Sequence, residues 1–165
     1  MGNADSKEPA VGAGFILFSD DHSKLLMVQD ERTGKWGFPK GHREPTDASD
    51  IQTAIRECTE ETGLKESNYE ILPGTLMYHS YLFWYAKLRG YRPLTKGPNS
   101  EIRDLQWIPV EDILERDMFP TNRYLRSWKY DMLDPASKAR QMFRKHFEPA
   151  RTRQSVRKTR KRVSV

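Results

Sequence analysis

The segment GHREPTDASDIQTAIRECTEETGL spans residues 41–64 and carries most of the recognisable chemistry of this 165-residue chain. Its apolar residues recur with helical periodicity from residue 48 to residue 61, and Gly63 is placed to end that helix as a C-cap. Glu57, Glu60 and Glu61 are spaced i, i+3 and i+4, so they project from one helix face. Three carboxylates this close repel one another, and a divalent cation would turn that repulsion into a binding site. An ordinary solvated acidic face is the alternative.

The second half of this segment, RECTEETGL, matches a known pattern at every position. The pattern is the Nudix box, G-x5-E-x7-R-E-U-x-E-E-x-G-U with U apolar, and the chain therefore resembles the Nudix hydrolase superfamily. The first half departs from the pattern, because Gly41 lies one residue too far from Arg56 and only Asp47 stands near the place of the early glutamate. Because this departure comes before Arg56, it affects the equivalence of Asp47 to the early glutamate and not the three glutamates of the second half. The resemblance implies an α/β (α+β) Nudix fold, with a mixed β-sheet sandwiched between helices.

The resemblance also implies roles for the residues of the box. Glu57, Glu60 and Glu61 would bind Mg²⁺ or Mn²⁺, and Gly41 would shape the loop so that backbone carbonyls can reach the metal. Arg56 would have a structural role and orient the glutamates through an ion pair. Metal ions bound there would neutralise the polyphosphate and lower the pKa of the attacking water.

A carboxylate must then take the proton of that water. Glu61 is one candidate for this base, and Glu101 is another, since several family members draw the base from a later loop. An ordinary surface carboxylate is the alternative for Glu101. Lys40, beside the glycine of the metal loop, is a candidate point charge for a substrate phosphate. Trp36 is either a core residue or a residue that stacks on a substrate base.

Three segments bear on the substrate by resembling the mRNA-decapping family. The segment WGFPKG (36–41) is similar to the entry of the metal loop there, and the segment that begins at Glu101 looks like the one with a late catalytic glutamate. The segment PTNRYLRSW (120–128) is similar to the start of a helix that contacts RNA. Within it, Arg123 and Arg126 are spaced i and i+3, on one face, where a phosphate backbone could bind. A solvated helix face is the alternative.

Two other features favour different substrates. The segment PKGH (39–42), followed by Glu44 and Pro45, looks like the dinucleoside tetraphosphate hydrolases. The box spacing, one residue long, is similar to that of fungal diphosphoinositol polyphosphate hydrolases. The sequence favours slightly a capped or polyphosphorylated RNA 5′ end, cut so that a nucleoside diphosphate is released, with a dinucleoside or diphosphoinositol polyphosphate as the close alternative. A non-catalytic RNA-binding module is a third hypothesis, which the retention of all three glutamates disfavours.

The basic charge of the chain is concentrated at its C-terminal end. Seven of the 28 Lys and Arg residues, and no acidic residue, lie in 149–165, so the rest of the chain holds 21 basic against 23 acidic residues. We therefore expect a flexible N-terminus (1–9), a Nudix hydrolase domain (10–148) and a basic disordered tail (149–165). The tail would bind polyanions through a sequence-independent, salt-sensitive attraction, or serve as a nuclear-localisation patch.

The same composition sets expectations for location and partners. No apolar run approaches the roughly 18 residues of a membrane span, and the single cysteine, Cys58, excludes an internal disulfide framework. These features favour an intracellular, cytoplasmic protein, with a nuclear or membrane-associated one as alternatives. The start MGNADS matches the N-myristoylation pattern, so acylation of Gly2 would add a membrane as a partner beside a nucleotide or RNA 5′-end substrate. The oligomeric state stays open.

Strand and helix signals alternate irregularly along the rest of the chain. Residues 34–45, rich in glycine and proline, are expected to form a shaped loop. Asp134 and Pro135 form a suitable N-cap and first residue for a final helix that ends near Phe147. The remaining expected elements are strands at 11–18, 24–29, 70–72, 75–77, 81–88 and 105–109, and helices at 48–61, 110–114 and 121–133.

Overall fold

The computed structural model describes residues 10–98, 100–116 and 119–148. The predicted flexible N-terminus with Gly2, and the predicted basic tail, lie outside the described residues. The elements in chain order are β1 (Gly12–Phe18), β2 (Lys24–Asp30), β3 (Trp36–Gly37), β4 (Lys40–His42), α1 (Asp50–Thr62), a 3₁₀ turn (Glu66–Asn68), β5 (Tyr69–Ile71), β6 (Leu76–Tyr78), β7 (Tyr81–Leu88), β8 (Ile102–Pro109), α2 (Val110–Leu114), α3 (Arg123–Met132) and α4 (Lys138–Phe147).

The sheet is mixed, as predicted, and β1 lies at its centre. β1 pairs in parallel with β7 over its whole length, and it pairs antiparallel with β2 and β4. β8 extends the sheet beyond β2, while β5 and β6 pair with β7. All seven residues of β1 are buried, which is expected of a strand covered on both faces.

Two separate hydrophobic clusters show that helices cover both faces of the sheet. On one face, Phe15 of β1 and Ala54 and Cys58 of α1 belong to the same cluster. On the other face, Phe18 of β1 packs in a cluster with Trp128 of α3 and Phe147 of α4. The predicted sandwich of a mixed sheet between helices is therefore confirmed.

Helix α1 has the boundaries that its flanking residues favour. Ser49 caps its N-terminus by accepting a hydrogen bond from the Gln52 N–H. Gly63 ends it with a left-handed backbone (φ 79°), and its N–H donates to the Thr59 carbonyl. The predicted C-cap is confirmed, and the helix that carries the three glutamates is continuous from Asp50 to Thr62.

The predicted loop at 34–45 is wrong in part, because it contains two short strands. β4 pairs with β1 in the register Gly12↔His42 and Gly14↔Lys40. A Cβ at Gly12 would overlap the Gly41 carbonyl, and one at Gly14 would overlap the Pro39 carbonyl. The two glycines of β1 therefore allow the loop to lie against the sheet, a long-range condition that local turn signals do not report.

Two other predicted boundaries are corrected. The last helix begins at Lys138, capped by Ser137, whose side chain accepts from the Arg140 N–H. Asp134 instead accepts from the Ala136 N–H and so forms a turn before the helix. β8 begins at Ile102 rather than at residue 105, because its pairing with β2 continues past an irregularity in register to Asp30↔Ile102.

None of the helices in the described part of the chain is long and apolar enough to cross a membrane.

Tyr85→Phe tests the hydrogen bonds that join β7 to helices α3 and α4. The Tyr85 hydroxyl donates to the Ala139 carbonyl at 2.8 Å and accepts from the Trp128 indole N–H at 3.0 Å. Removing it leaves the buried Trp128 N–H without this acceptor and takes one donor from the Ala139 carbonyl, so the free energy of unfolding should fall by about 1–3 kcal/mol in urea denaturation. Tyr91→Phe, on a side chain 80% exposed, is the matched control and should change nothing measurable. A Tyr85→Phe protein as stable as the wild type would contradict this account.

Candidate active site

The segment between β3 and α1, which contains Gly41 and Asp47, is called the metal loop here. It meets helix α1, the helix of the three glutamates, at the end of the sheet where β1 begins. The Lys40 N–H of β4 donates to Oε1 of Glu61 at 2.9 Å, which ties the loop to α1. A Cβ on Gly41 would overlap the carboxylate of Glu57. Gly41 thus provides the space that the Glu57 side chain occupies, which is a reason for glycine there that does not depend on backbone conformation.

Arg56 connects the loop to two of the three glutamates of α1, Glu57 and Glu60. Its guanidinium makes a two-pronged contact with Asp47, Nε to Oδ1 at 2.9 Å and Nη2 to Oδ2 at 2.8 Å. Nη2 also donates to the His42 carbonyl. Nη1 reaches Glu57 at 2.9 Å and Glu60 at 3.2 Å. The implied role of Arg56, orienting glutamates through ion pairs, agrees with this geometry.

Asp47 is a structural anchor of the loop in spite of the irregular spacing of the box. Besides Arg56, it accepts hydrogen bonds from the Glu44 N–H and the Thr53 hydroxyl. These contacts, led by the Arg56 side chain, hold the pKa of Asp47 well below its usual range. Hydrogen bonding to Asp47 is in turn the main cause that raises the pKa of Arg56. The extra residue between Asp47 and Arg56 is thus accommodated without losing the pair.

The glutamates differ in how strongly their surroundings oppose a negative charge. Burial raises the pKa of Glu57, against the opposing effect of Arg56. Burial raises the pKa of Glu61 to about 8, although the Lys40 N–H acts in the other direction. The side chain of Glu60 is 52% exposed. Two partly buried carboxylates, whose cost of ionisation is only partly offset, therefore lie on one helix face.

The described residues hold no ready-made group of three or more metal-ligating side chains. The reason is visible in the contacts, since Glu57 and Glu60 point to Arg56 while Glu61 accepts from Lys40. The donor set nevertheless fits a hard cation, because three carboxylates on one face offer the oxygen ligands that Mg²⁺ and Mn²⁺ prefer. The absence of a side chain at Gly41 lets the Glu57 carboxylate lie directly against the backbone of the loop.

The candidate base Glu101 follows a loop that contacts α1, but in the part of the chain that the structure describes its side chain makes no bond to that helix. The loop before it packs on the C-terminal turn of α1, where the Gly97 N–H donates to the Glu60 carbonyl at 2.8 Å. The Glu101 carbonyl accepts from the Glu31 N–H. Its exposed carboxylate has no partner within the described part of the chain. Glu61 is therefore the candidate that the structure places inside the carboxylate cluster.

The side chains of Lys40 and Arg123 both lie against the ring of Tyr124. The Lys40 Nζ lies 4.6 Å from the centre of the Tyr124 ring and 5.0 Å from that of Tyr81. The Arg123 guanidinium lies 5.2 Å from the Tyr124 ring and donates to its hydroxyl. Both tyrosines were missed by sequence reasoning, although Tyr124 directly follows a candidate residue. Arg126, one turn further along α3, is exposed and donates to the Thr121 carbonyl.

Trp36 is corrected from a substrate-binding candidate to a core residue. It is 8% exposed and packs against Phe119, with ring centres 6.2 Å apart. Its N–H donates to the Pro120 carbonyl, and its carbonyl accepts from the Asn122 N–H. Among the described residues the indole is therefore largely covered, in part by Phe119 before α3, and it is a core side chain.

Comparison with known proteins identifies this arrangement. Residues 8–129 match the NUDIX domain family. The chain belongs to the Nudix family. The predicted superfamily and the predicted enzyme class, a Nudix pyrophosphohydrolase, are confirmed at this level. Nudix hydrolases generally use divalent metal ions, which agrees with the donor set described above. Helix α4 lies beyond the matched residues but packs in the same core.

Two relatives of this Nudix chain differ in the length over which they match it. The asymmetrical bis(5′-nucleosyl)-tetraphosphatase of Rattus norvegicus is 32% identical over 104 residues, 58% of this chain and 69% of that protein. The m7GpppN-mRNA hydrolase dcap-2 of Caenorhabditis elegans is 29% identical over 150 residues, 84% of this chain. This Nudix chain spans only 18% of the length of that mRNA hydrolase.

Solved structures agree with the Nudix fold. The Ap4A hydrolase of C. elegans, in a binary complex, superposes with a TM-score of 0.55 at 26% sequence identity, covering 63% of this chain and 83% of that one. A Nudix hydrolase of Mycobacterium smegmatis superposes with a TM-score of 0.59 at 16% identity, which bears on the fold alone.

The raised pKa of Glu61 makes the stability of the metal-free protein depend on pH. The folded pKa of about 8 exceeds the ordinary value of 4.5, so the folded state binds the proton more tightly. The stability that the folded protein gains from the protonated Glu61 carboxyl is fully present below about pH 4.5 and is lost as pH rises through about 8. In EDTA, the melting temperature of the wild type should fall over this range more steeply than that of Glu61→Gln. Added Mg²⁺ should reduce this fall in melting temperature. If the melting temperatures of the wild type and of Glu61→Gln fell equally with pH in EDTA, the pKa of Glu61 would not be raised.

Proposed function

We propose that this Nudix hydrolase uses Mg²⁺ or Mn²⁺ to cut a phosphoanhydride bond in a nucleoside-diphosphate-linked substrate. The substrate that we favour is the capped or polyphosphorylated 5′ end of an RNA, cut so that a nucleoside diphosphate is released. The observation that carries this choice is the attachment of α3 to the metal loop. This attachment places Arg123 against the same ring as Lys40 and leaves Arg126 exposed one turn further along the helix.

The attachment of α3 is specific in its geometry. Asn122 caps α3 by accepting from the Leu125 N–H, and its amide fills the space beside Gly37. The neighbouring backbone pairs with Trp36 on both sides, at 2.8 and 2.9 Å. We infer that a chain of phosphates leaving the carboxylate cluster would meet Arg123, which shares a ring with Lys40, before Arg126. Such a track suits a polynucleotide, since phosphate contacts fix its position without reading its sequence.

The proposed reaction is attack of water on a phosphorus atom, with loss of the bridging oxygen to the leaving phosphate. When bound, the divalent cation supplies charge neutralisation and makes water more acidic. Lys40 and Arg123 bind phosphate oxygens, and Arg56 keeps Glu57 and Glu60 in place. Glu61 takes the proton of the attacking water on the oxygen that does not accept from the Lys40 N–H, with Glu101 as the other candidate for this step.

A dinucleoside polyphosphate is the second candidate substrate. It is supported by the 32% identity to the rat tetraphosphatase and by the short distance of both Lys40 and Arg123 from one ring, which suits a compact polyphosphate. The longer alignment with the mRNA hydrolase, 84% of this chain against 58%, supports the RNA end instead. The two candidates differ in whether anything beyond the polyphosphate is bound.

Glu60→Gln and Glu61→Gln test the proposed metal site. Each change removes a ligand charge, and a metal contribution of several kcal/mol to the transition state corresponds to a loss of about 100-fold or more in kcat. The folds should stay intact, as judged by circular dichroism. Glu70→Gln, an exposed glutamate of β5, is the matched control and should keep full activity. Hydrolysis of capped RNA and diadenosine tetraphosphate with Mg²⁺ or Mn²⁺ is the measurement, and near wild-type turnover by either variant would remove that glutamate from the site.

Arg126→Ala separates the two substrates. A charge-assisted contact with a phosphate beyond the cap is worth about 1.5–3 kcal/mol, so the activity on capped RNA should drop about tenfold or more. Diadenosine tetraphosphate has no phosphate that reaches this position, and its hydrolysis should change less than about twofold.

The control for this variant is Arg116→Ala, since Arg116 lies beyond α2 and its side chain is 66% exposed. The melting temperature must be compared as well, because Arg126 also binds the Thr121 carbonyl. Equal losses on both substrates at unchanged stability would favour the dinucleotide over the RNA end.

A further inference from the structure

The ammonium group of Lys40 lies in a cage of two tyrosine rings. Its Nζ is 5.0 Å from the centre of the Tyr81 ring and 4.6 Å from that of Tyr124, and the two ring centres are 4.9 Å apart. Both tyrosines are buried, with 4% and 7% of their surface exposed. A cation at such distances is attracted by the negative ring faces, and the attraction grows when the site is shielded from water.

The sheet is built to admit both partners of this cage. A Cβ on Gly12 would overlap the Tyr81 ring, and a Cβ on Gly14 would overlap the Cβ of Lys40. Two glycines in a fully buried central strand cost conformational entropy and leave side-chain positions unfilled. Here the space that they leave is occupied by the ring and by the lysine stem, so the cage is part of the packing of β1.

A second cation shares the Tyr124 ring. The Arg123 guanidinium lies 5.2 Å from its centre and donates to its hydroxyl at 3.2 Å. Two positive charges against one ring repel each other, and an anion between them would offset that repulsion. The backbone of Lys40 is at the same time bonded to Glu61, so the cage adjoins the carboxylate cluster.

We propose that Tyr81 and Tyr124 are positioning residues for the reaction, whose ring faces hold the Lys40 ammonium in place for a phosphate of the substrate. The proposal rests on the proposed function in one respect, namely that Lys40 binds phosphate. A flexible lysine loses side-chain freedom when it binds, and a lysine already held in place loses less. The rings therefore act through Lys40 and touch no reacting atom.

The cage itself is tested by NMR of the full chain labelled with ¹³C at lysine Cε, without metal or substrate. A methylene group beside two ring faces should show Lys40 Hε signals shifted upfield from those of the other lysines. Lys40→Arg identifies the signals by their loss. Tyr81→Phe and Tyr124→Phe keep the ring faces and should keep the shift, whereas Tyr81→Leu and Tyr124→Leu should lose part of it. An unshifted Lys40 in the wild type overturns the proposal without recourse to any variant.

The functional role is tested with diadenosine tetraphosphate and Mg²⁺. Each leucine variant should raise KM about three- to tenfold, with kcat within about twofold, because the lost interaction serves binding before and during the reaction. Each phenylalanine variant should restore most of the lost affinity. Phe18→Leu, a buried aromatic of β1 that packs near Phe147 at the opposite end of the strand, is the control for a general loss of core packing.

Double variants decide between positioning and packing. In a Lys40→Met background the leucine changes should add no further rise in KM, because the group that they position is gone. Additive losses, or phenylalanine variants as weak as the leucine ones, overturn the proposal. If Lys40→Met itself leaves hydrolysis of both proposed substrates unchanged, Lys40 does not bind phosphate, and the positioning role fails with it. If the Glu60 and Glu61 variants stay active, the metal site of the proposed function fails while the NMR still decides the cage.

Discussion

The Arg56 guanidinium is the contact on which the geometry of the site depends. It uses donors on all three of its nitrogens, toward Asp47, Glu57, Glu60 and the His42 carbonyl. A planar cation with five N–H groups in fixed directions can join a loop to a helix in this way, whereas a lysine offers only a point charge. Because Asp47 lies in the loop and the glutamates lie on α1, one side chain sets the distance between the two segments.

This arrangement leaves the carboxylates in different electrostatic states. Glu60 is half exposed, while burial raises the pKa of Glu57 and Glu61 above the ordinary range. A buried carboxylate without enough positive charge nearby is costly, and a divalent cation is the partner that removes the cost for several carboxylates together. The same burial raises the pKa of Glu61 to about 8 in the protein without metal, and a bound cation would lower it again.

The second half of the site is assembled by packing rather than by charge. Asn122 and the backbone around Trp36 attach α3 to the loop, and the glycines of β1 admit Tyr81 and Lys40. Two cations thereby lie against one ring, beside a strand whose backbone is bonded to Glu61. A polyphosphate needs both kinds of group, because its oxygens must be held by cations while water is activated by carboxylates.

The glutamate helix, its glycine cap and the class of chemistry were set by the local sequence, since residue spacing on a helix follows from its fixed period. The same holds for the covered strands, whose apolar runs mark them directly. The Asp47–Arg56 pair, the strand at Lys40, the burial of Trp36 and the ring cage were decided only by the tertiary structure. Each of these depends on residues distant in sequence, such as Gly14 beside Lys40, and no local pattern encodes which distant residue leaves room for another.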